Sequence, residues 1–526
     1  MDRTRERCLP AAFGRGERAT KRLAVVLLSA VFVSLVVPTP PARAQCTLTE
    51  LQKIADSTGD DAFGTSVAVE DDLLVVGAPG DSYLGTLSGA VYVYRHDGTQ
   101  WTLPQQIGPA DGRVFQQFGS AVAVSDDLIA VGAPNDDAAD AYAGAAYVFR
   151  FDGSTWVQEA KFTPRSGERQ FFGSAVDIAG NLLAVGAPYD DAGAAAYNGG
   201  TVSLYRFDGA TWRFEDKLTG SDITDYDYFG TAVKVEGETL VVGAPRTYFS
   251  DETTGVAYVF QLIGGQWSEV QRLTPSDSPG RNAFGEALAL HDDLLVIGAP
   301  YDSKHSPFAG SAYVFRHDGY QWSEEQSLHP DQPFESDQFG AAVDAQDGLI
   351  IAGVPGGDTS ERNTGFVMAY RFDGSAWVLG ATLVASDAAF FDFLGSAVAL
   401  HGILALAGCP EDGPGSRHDF GSVYVFAALP DLNLDAEPNA VLAGDTLTFT
   451  TAYGEPGDPV LLALREVNGL PDFRVVITGV FGTGLRWIVS GTVPPGLSGM
   501  TMSFQSIGFT RCGSVDESSL EPVGFL

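Results

Sequence analysis

Two residues beyond a recurring Gly-Ala-Pro or its variant, the chain places a carboxylate: Asp81, Asp136, Asp190, Asp302 and Asp412. Asp137 and Asp191 double the charge in two of these places, and Asp358 stands one position later in a further one. Three kinds of chemistry suit such a set. Each Asp can cap its own loop by accepting a backbone N–H. Several carboxylates on one rim can hold a hard cation, and calcium is the candidate, because it wants many oxygen ligands and extracellular levels tolerate weak sites. The same oxygens can instead touch a ligand directly. Tyrosines share these loops, namely Tyr83, Tyr142, Tyr189, Tyr197, Tyr248 and Tyr301, and their rings can stack on sugars or anchor a protein partner.

Catalytic patterns are missing by comparison. No Gly-x-Ser-x-Gly elbow, His-Glu-x-x-His pair or Cys-x-x-Cys occurs, and the seven histidines are scattered. No catalytic residue is assigned and no cofactor is required, with calcium alone as a candidate. Charge narrows the partners further. Residues 1–44 hold eight Lys or Arg and three Asp or Glu, so the remainder carries 23 basic against 64 acidic residues, a net charge of −41. That field repels nucleic acid and anionic membrane.

The elements that position these side chains come from a repeat. A Phe-Gly signal puts its glycine at Gly64, Gly119, Gly173, Gly230, Gly285, Gly340 and, with Leu394 in place of Phe, Gly395. The glycine of Gly-Ala-Pro follows thirteen residues later each time, at Gly77, Gly132, Gly186, Gly243, Gly298, Gly353 and Gly408. Each unit shows four strand-like runs: small alternating residues (Ser66 to Val69), a nearly all-apolar run (Leu73 to Val76), a third run (Val91 to Tyr94) and a fourth opened by Trp101. Asp-Gly between the third and fourth, as at Asp152-Gly153, predicts a two-residue type I′ hairpin. Four antiparallel strands repeated about every 55 residues build propeller blades. The fold class is therefore all-β, a seven-bladed β-propeller over residues 45–427. Its seventh unit lacks a tryptophan strand, and Thr47 to Ile54 at the other end is expected to supply it and close the ring.

Beyond 428 the repeat stops. Short strands separated by Gly and Pro turns predict a small immunoglobulin-like β-sandwich over 428–526. At the front, a basic start, the 15-residue apolar run Leu23 to Val37 and Ala42-Arg43-Ala44 predict a secretory signal peptide over 1–44, cleaved near Ala44. That run is short for a membrane span, so a secreted or cell-surface monomer without a direct span is expected. Three cysteines then remain, Cys46, Cys409 and Cys512, an odd count that leaves at least one thiol outside any disulfide among them.

The Phe-Gly and Gly-Ala-Pro signals resemble FG-GAP repeats, which build the propeller of integrin α-subunits and occur in secreted bacterial proteins. The resemblance implies extracellular recognition or adhesion and a protein or polysaccharide partner. Integrin-type repeats place an oxygen-rich calcium loop between the two inner strands. The thirteen-residue offset here leaves room only for a short turn, so calcium is not carried over from the resemblance. The turns between strands one and two and between three and four share one face and are short; the opposite, long-loop face carries the Asp and Tyr sets and is where function is expected. An extracellular carbohydrate-active enzyme using acidic residues on that face, or a structural envelope or matrix component, are the alternatives.

Overall fold

The computed structural model describes the chain from Cys46 to Ala427, apart from residues 49, 56–60, 98–99, 165–168, 192–195, 246–253, 278–279, 347, 360, 403 and 414–419, and the backbone of strands between Asn433 and Gly524. Residues 1–44, Tyr248 and Cys512 lie outside the described set.

The described strands up to Ala427 form seven sheets, each with four antiparallel strands, arranged as blades 1 to 7. In blade 1 the order is Ser66–Glu70, Leu73–Ala78, Ala90–His96 and Trp101–Ile107, and the others repeat it. Inner strands pack side by side around the ring, including Ala397–His401 of blade 7 against Ser66–Glu70 of blade 1, which shows closure. There is no single core. Seven hydrophobic clusters fill the seven seams, and each mixes residues of two neighbouring blades. Small residues on the inner strands allow the crowding at the axis, while the Phe of each Phe-Gly is buried in a seam.

The thirteen-residue spacing is a hydrogen bond. In every blade the N–H of the Phe-Gly glycine donates to the carbonyl of the Gly-Ala-Pro glycine at 2.9 to 3.0 Å. The first glycine has a φ between +84° and +94°, a region that side chains resist. The second has no room for one: a Cβ there would lie 1.9 to 2.0 Å from the carbonyl oxygen of the next blade's Phe-Gly glycine, from Gly77 against Gly119 round to Gly408 against Gly64. The motif thus fixes both the blade and its spacing from its neighbour.

Closure by the N-terminus is as expected, with a refinement. Glu50–Ala55 is the outer strand of blade 7, pairing Ile54 with Val423. Cys46–Leu48 instead adds a fifth, parallel strand to the outer edge of blade 6, with Cys46 opposite Ala381. The hairpins also differ from expectation. In the Asp-Gly cases the Asp lies outside the turn centre: Asp152 N–H donates to the Thr155 carbonyl at 3.0 Å, and Gly153, at φ +96°, is the first central residue. That glycine placement is the one a type II′ turn wants, and the Asp152 carboxylate takes the Ser154 and Thr155 N–H groups. Gly264-Gly265, both at positive φ between Val256–Ile263 and Gln266–Leu273, fits type I′. In the C-terminal region seven strands from Asn433–Asp435 to Glu521–Gly524 pair in one sheet and two more form a separate pair. Two facing layers, the mark of the expected sandwich, are not shown by that pairing.

Candidate recognition surface

The long-loop face is built by backbone stitching between blades. Phe171 and Phe172 donate their N–H groups to the carbonyls of Tyr142 and Ala143, and Tyr226, Tyr228 and Phe229 donate to Tyr197, Asn198 and Gly199. Equivalent bonds join Phe115, Gln117 and Phe118 to Thr86, Leu87 and Ser88. To make them, bulky residues adopt left-handed backbone: Tyr142 at φ +54°, Phe171 at +52°, Tyr226 at +66° and Tyr228 at +56°. Non-glycine residues rarely enter that region, and such conformations persist only where surrounding structure enforces them.

The stitches bring six rings into one ribbon over blades 2 to 4. Tyr142 stacks on Phe171 with centroids 6.0 Å apart, Phe171 meets Tyr189 at 4.8 Å, and Tyr189 meets Tyr228 edge-on at 5.1 Å. Tyr228 then lies 6.3 Å from Tyr226, which meets Tyr197 at 5.2 Å. Tyr142 and Tyr197 remain about half exposed, at 46% and 55%. Among the described residues, eleven of the seventeen exposed large hydrophobics sit in the loops of this face, including Phe115, Phe308, Phe334 and Phe390. Grouped apolar exposure marks interaction surfaces.

The predicted tyrosines therefore divide. Tyr142, Tyr189 and Tyr197 join the ribbon. Tyr83 stands apart at the seam of blades 1 and 2, exposed at 49%. Tyr301 meets Phe308 edge-on at 6.1 Å in blade 5.

Five of the eight candidate aspartates lie inside the fold, while Asp137, Asp191 and Asp358 are exposed. Asp81, Asp136, Asp190, Asp302 and Asp412 are buried. Each carboxylate accepts a hydroxyl from the third strand of its own blade: Tyr92 at 2.7 Å, Tyr147 at 2.8 Å, Thr201 at 2.8 Å, Tyr313 at 3.1 Å and Tyr424 at 2.8 Å respectively. The outer strand adds a donor, Gln106 to Asp81, Lys161 to Asp136, Lys217 to Asp190 and Lys53 to Asp412. Burial alone would raise the Asp136 pKa, but hydrogen bonds from Lys161, the Ala138 N–H and Tyr147 outweigh it and hold the carboxyl below its ordinary value. Loop capping occurs as well, in Asp136 to the Ala138 N–H, Asp191 to the Asn198 N–H and Asp358 to the Asn363 N–H. Asp137 faces Arg113 at 3.7 Å. Among the described residues no group of three or more His, Cys, Asp or Glu is arranged to hold a metal ion. The two inner strands are joined by turns as short as Asp71-Asp72, so the residues present do not fit a calcium loop.

Sequence reasoning missed a second buried polar position, two residues before each Phe-Gly phenylalanine or its Leu394 counterpart: Asp61, Gln116, Gln170, Asp227, Asn282, Asp337 and Asp392. Four of these accept a backbone N–H from three residues earlier, as Asp227 does from Thr224 at 2.7 Å. The signal was available as a constant Asp, Asn or Gln at a fixed offset. Burial, with repulsion from Asp412, pushes the Asp392 pKa up to about 6.

With this geometry in view, the family model for the FG-GAP repeat matches residues 49–94, 101–149, 156–205, 212–260, 267–315 and 377–426, more than half of the chain. The chain belongs to the FG-GAP repeat family. A 128-residue stretch of the chain is also similar to integrin alpha-7 of Mus musculus, at 34% identity, covering 23% of this chain and 11% of that protein. Integrin alpha-7 of Rattus norvegicus matches to the same extent, and that of Homo sapiens is 37% identical over 83 residues, 15% of this chain and 7% of that protein. The FG-GAP chain thus aligns with about a tenth of the length of these relatives. Residues 322–372 fall outside the matched segments, yet they supply the outer strand of blade 5 and three strands of blade 6 in the same pattern.

Proposed function

We propose that this FG-GAP propeller is a non-enzymatic extracellular recognition and adhesion protein that binds a protein or polysaccharide through its long-loop face. The observation carrying this reading is the six-ring ribbon from Tyr142 to Tyr197, whose exposed rings are fixed by interblade backbone bonds rather than by their own side-chain packing alone. Rigid aromatics give contact area at small entropic cost, and they dominate recognition surfaces. Likeness to part of integrin alpha-7 supports an adhesive role and surface location. Among the described residues no helix is long and apolar enough to cross a membrane. Export by a signal peptide cut near Ala44, a monomeric state, a source among secreted bacterial proteins and a C-terminal region acting as a spacer belong to the same proposal.

The test is binding of the full chain to arrayed matrix proteins and polysaccharides, with calcium and with chelator, while released sugars are followed. Tyr142→Ala and Tyr197→Ala are expected to weaken binding without lowering the melting temperature. Sugar release would move the assignment to an enzyme, and binding indifferent to both variants would remove the ribbon from the recognition surface.

A further inference from the structure

A groove of about 810 Å³ occupies the seam between blades 1 and 2, away from the ribbon. It is lined from Tyr83 and Leu84 on the long-loop face, past the loop holding Asp111 and Arg113, to Trp156 and Gln158 on the outer wall. The interblade clasp beside it is incomplete. At three other seams a glutamine of one outer strand makes two bonds to the tryptophan backbone of the next: Gln52 with Trp101, Gln271 with Trp322 and Gln326 with Trp377. At this seam Gln105 makes one, its Oε1 accepting the Trp156 N–H at 3.3 Å.

Gln158 is half used in the same sense. Its Oε1 accepts the Ala110 N–H at 2.8 Å. At the equivalent places in blades 4 and 5, Glu269 and Glu324 take a backbone N–H and a hydroxyl, from Ser221 and Ser276, with both oxygens. Because backbone donors fix which amide atom is the oxygen, the Nε2 groups of Gln105 and Gln158 are left as donors without an acceptor among the described residues. The other wall is held just as firmly. A Cβ on Gly108 would lie 3.0 Å from Tyr83 Cδ1, and one on Gly112 would lie 2.5 Å from Leu84 Cδ1 and 2.6 Å from its Cβ, so these side chains rest closely on the loop.

The geometry points to a neutral glycan chain as the ligand of this groove. A sugar ring presents an apolar C–H face, which suits the exposed Tyr83 ring, and hydroxyls that both accept from amide donors and donate to a carboxylate such as Asp111. An anionic chain meets the repulsion of a protein with net charge −36. The volume lies in the range of small-molecule and oligosaccharide clefts. The next seam lacks the clasp as well: blade 2 has Ala160 where the clasping glutamine would stand, and a 330 Å³ pocket lies there beside Trp212 and Phe214. This site does not depend on the ribbon.

The experiment is calorimetric and tryptophan-fluorescence titration of the full chain with soluble oligosaccharides of glucan, mannan, xylan and galactan, and with oligogalacturonate as the anionic control. At least one neutral oligosaccharide is expected to bind. Gln158→Glu keeps the acceptor for Ala110 and removes the donor, as blades 4 and 5 do, and should weaken binding about tenfold at unchanged melting temperature. Tyr83→Ala should do the same, while Tyr197→Ala should leave the affinity intact. The inference fails if no neutral oligosaccharide binds, if the anionic one binds more tightly, if both groove variants bind like the parent, or if Tyr197→Ala abolishes binding.

Discussion

Gln52 joins the first described strands to the ring with two bonds to a single residue: its Oε1 accepts the Trp101 N–H at 3.0 Å and its Nε2 donates to the Trp101 carbonyl at 3.2 Å. The same clasp at Gln271 and Gln326 has tighter geometry, with all four distances at 2.7 or 2.8 Å. Replacing Gln326 by Ala strips both partners from the Trp377 backbone and should cost about 1–2 kcal/mol. Gln105→Ala, which removes one longer bond, should cost less, and thermal unfolding of the two variants ranks them.

Lys161 sits between Asp136 at 2.8 Å and Asp111 at 2.6 Å. Lys161→Met leaves the wholly buried Asp136 without its cation and should destabilise the protein by about 3 kcal/mol at neutral pH. In the parent, the depressed Asp136 pKa contributes stability that is present above the ordinary carboxylate value and is lost as pH falls through the folded value. In the variant the carboxyl is buried without its ammonium, so protonation now relieves it. The deficit should shrink on acidification, as denaturant titrations from neutral to mildly acidic pH would show.

Glu286 immediately precedes the inner strand Ala287–His291, and burial pushes its pKa up to about 7. A raised carboxyl binds a proton more tightly in the folded state, so folding loses stability as pH rises through the range between the ordinary value and about 7. Glu286→Gln should therefore raise the melting temperature above neutral pH and leave it nearly unchanged at pH near 5. Because the residue is only half-buried by surface area, the gain is discounted to on the order of 1–2 kcal/mol. Equal effects at both pH values would remove the titration as the cause.

Gly132 and Gly180 separate close approach from backbone strain. A Cβ on Gly132 would stand 2.0 Å from the Gly173 carbonyl oxygen across the seam, whereas Gly180, at φ +55°, has nothing within 4 Å. Gly132→Ala should cost about 3 kcal/mol or more and broaden unfolding. Gly180→Ala carries only the left-handed penalty of about 1 kcal/mol. Chemical denaturation of both variants gives the comparison.

The ring was legible because its determinants are local and repeat. The Phe-Gly and Gly-Ala-Pro glycines mark one hydrogen bond, and the missing tryptophan strand of the seventh unit pointed to closure by the N-terminus. The interblade layer was harder to read. That Asp136 would meet Tyr147 and Lys161 depends on side chains eleven and 25 positions away converging after two chain reversals. Asp81, Asp136, Asp190, Asp302 and Asp412 are consequently internal struts, while Asp137, Asp191 and Asp358 stay exposed. Tyr142, Tyr189 and Tyr197 are legible as loop residues, but their linkage through Phe171, Tyr226 and Tyr228 depends on left-handed backbone, which no residue type there announces. An Asp-Gly pair suits the centre of a type I′ turn, yet the Asp152 carboxylate, capping two N–H groups, places the aspartate one position earlier.

Ile54 pairs with Val423, so one of the earliest described strands has its partner near the far end of the ring. Seven seams cannot all be shut until that partner has been synthesised, and each blade made before then leaves an apolar flank waiting for its neighbour. Assembly is therefore governed by the slow joining of distant segments, which prolongs exposure to aggregation. The closing strand also makes the last step cooperative: Cys46–Leu48 on blade 6 and Glu50–Ala55 on blade 7 draw two blades together with one short stretch of chain. A break between Ala55 and the first Phe-Gly would leave that seam held by non-covalent contacts alone, among them the bond from the Phe63 N–H to the Phe420 carbonyl at 3.2 Å, and slow opening there would become the route to unfolding.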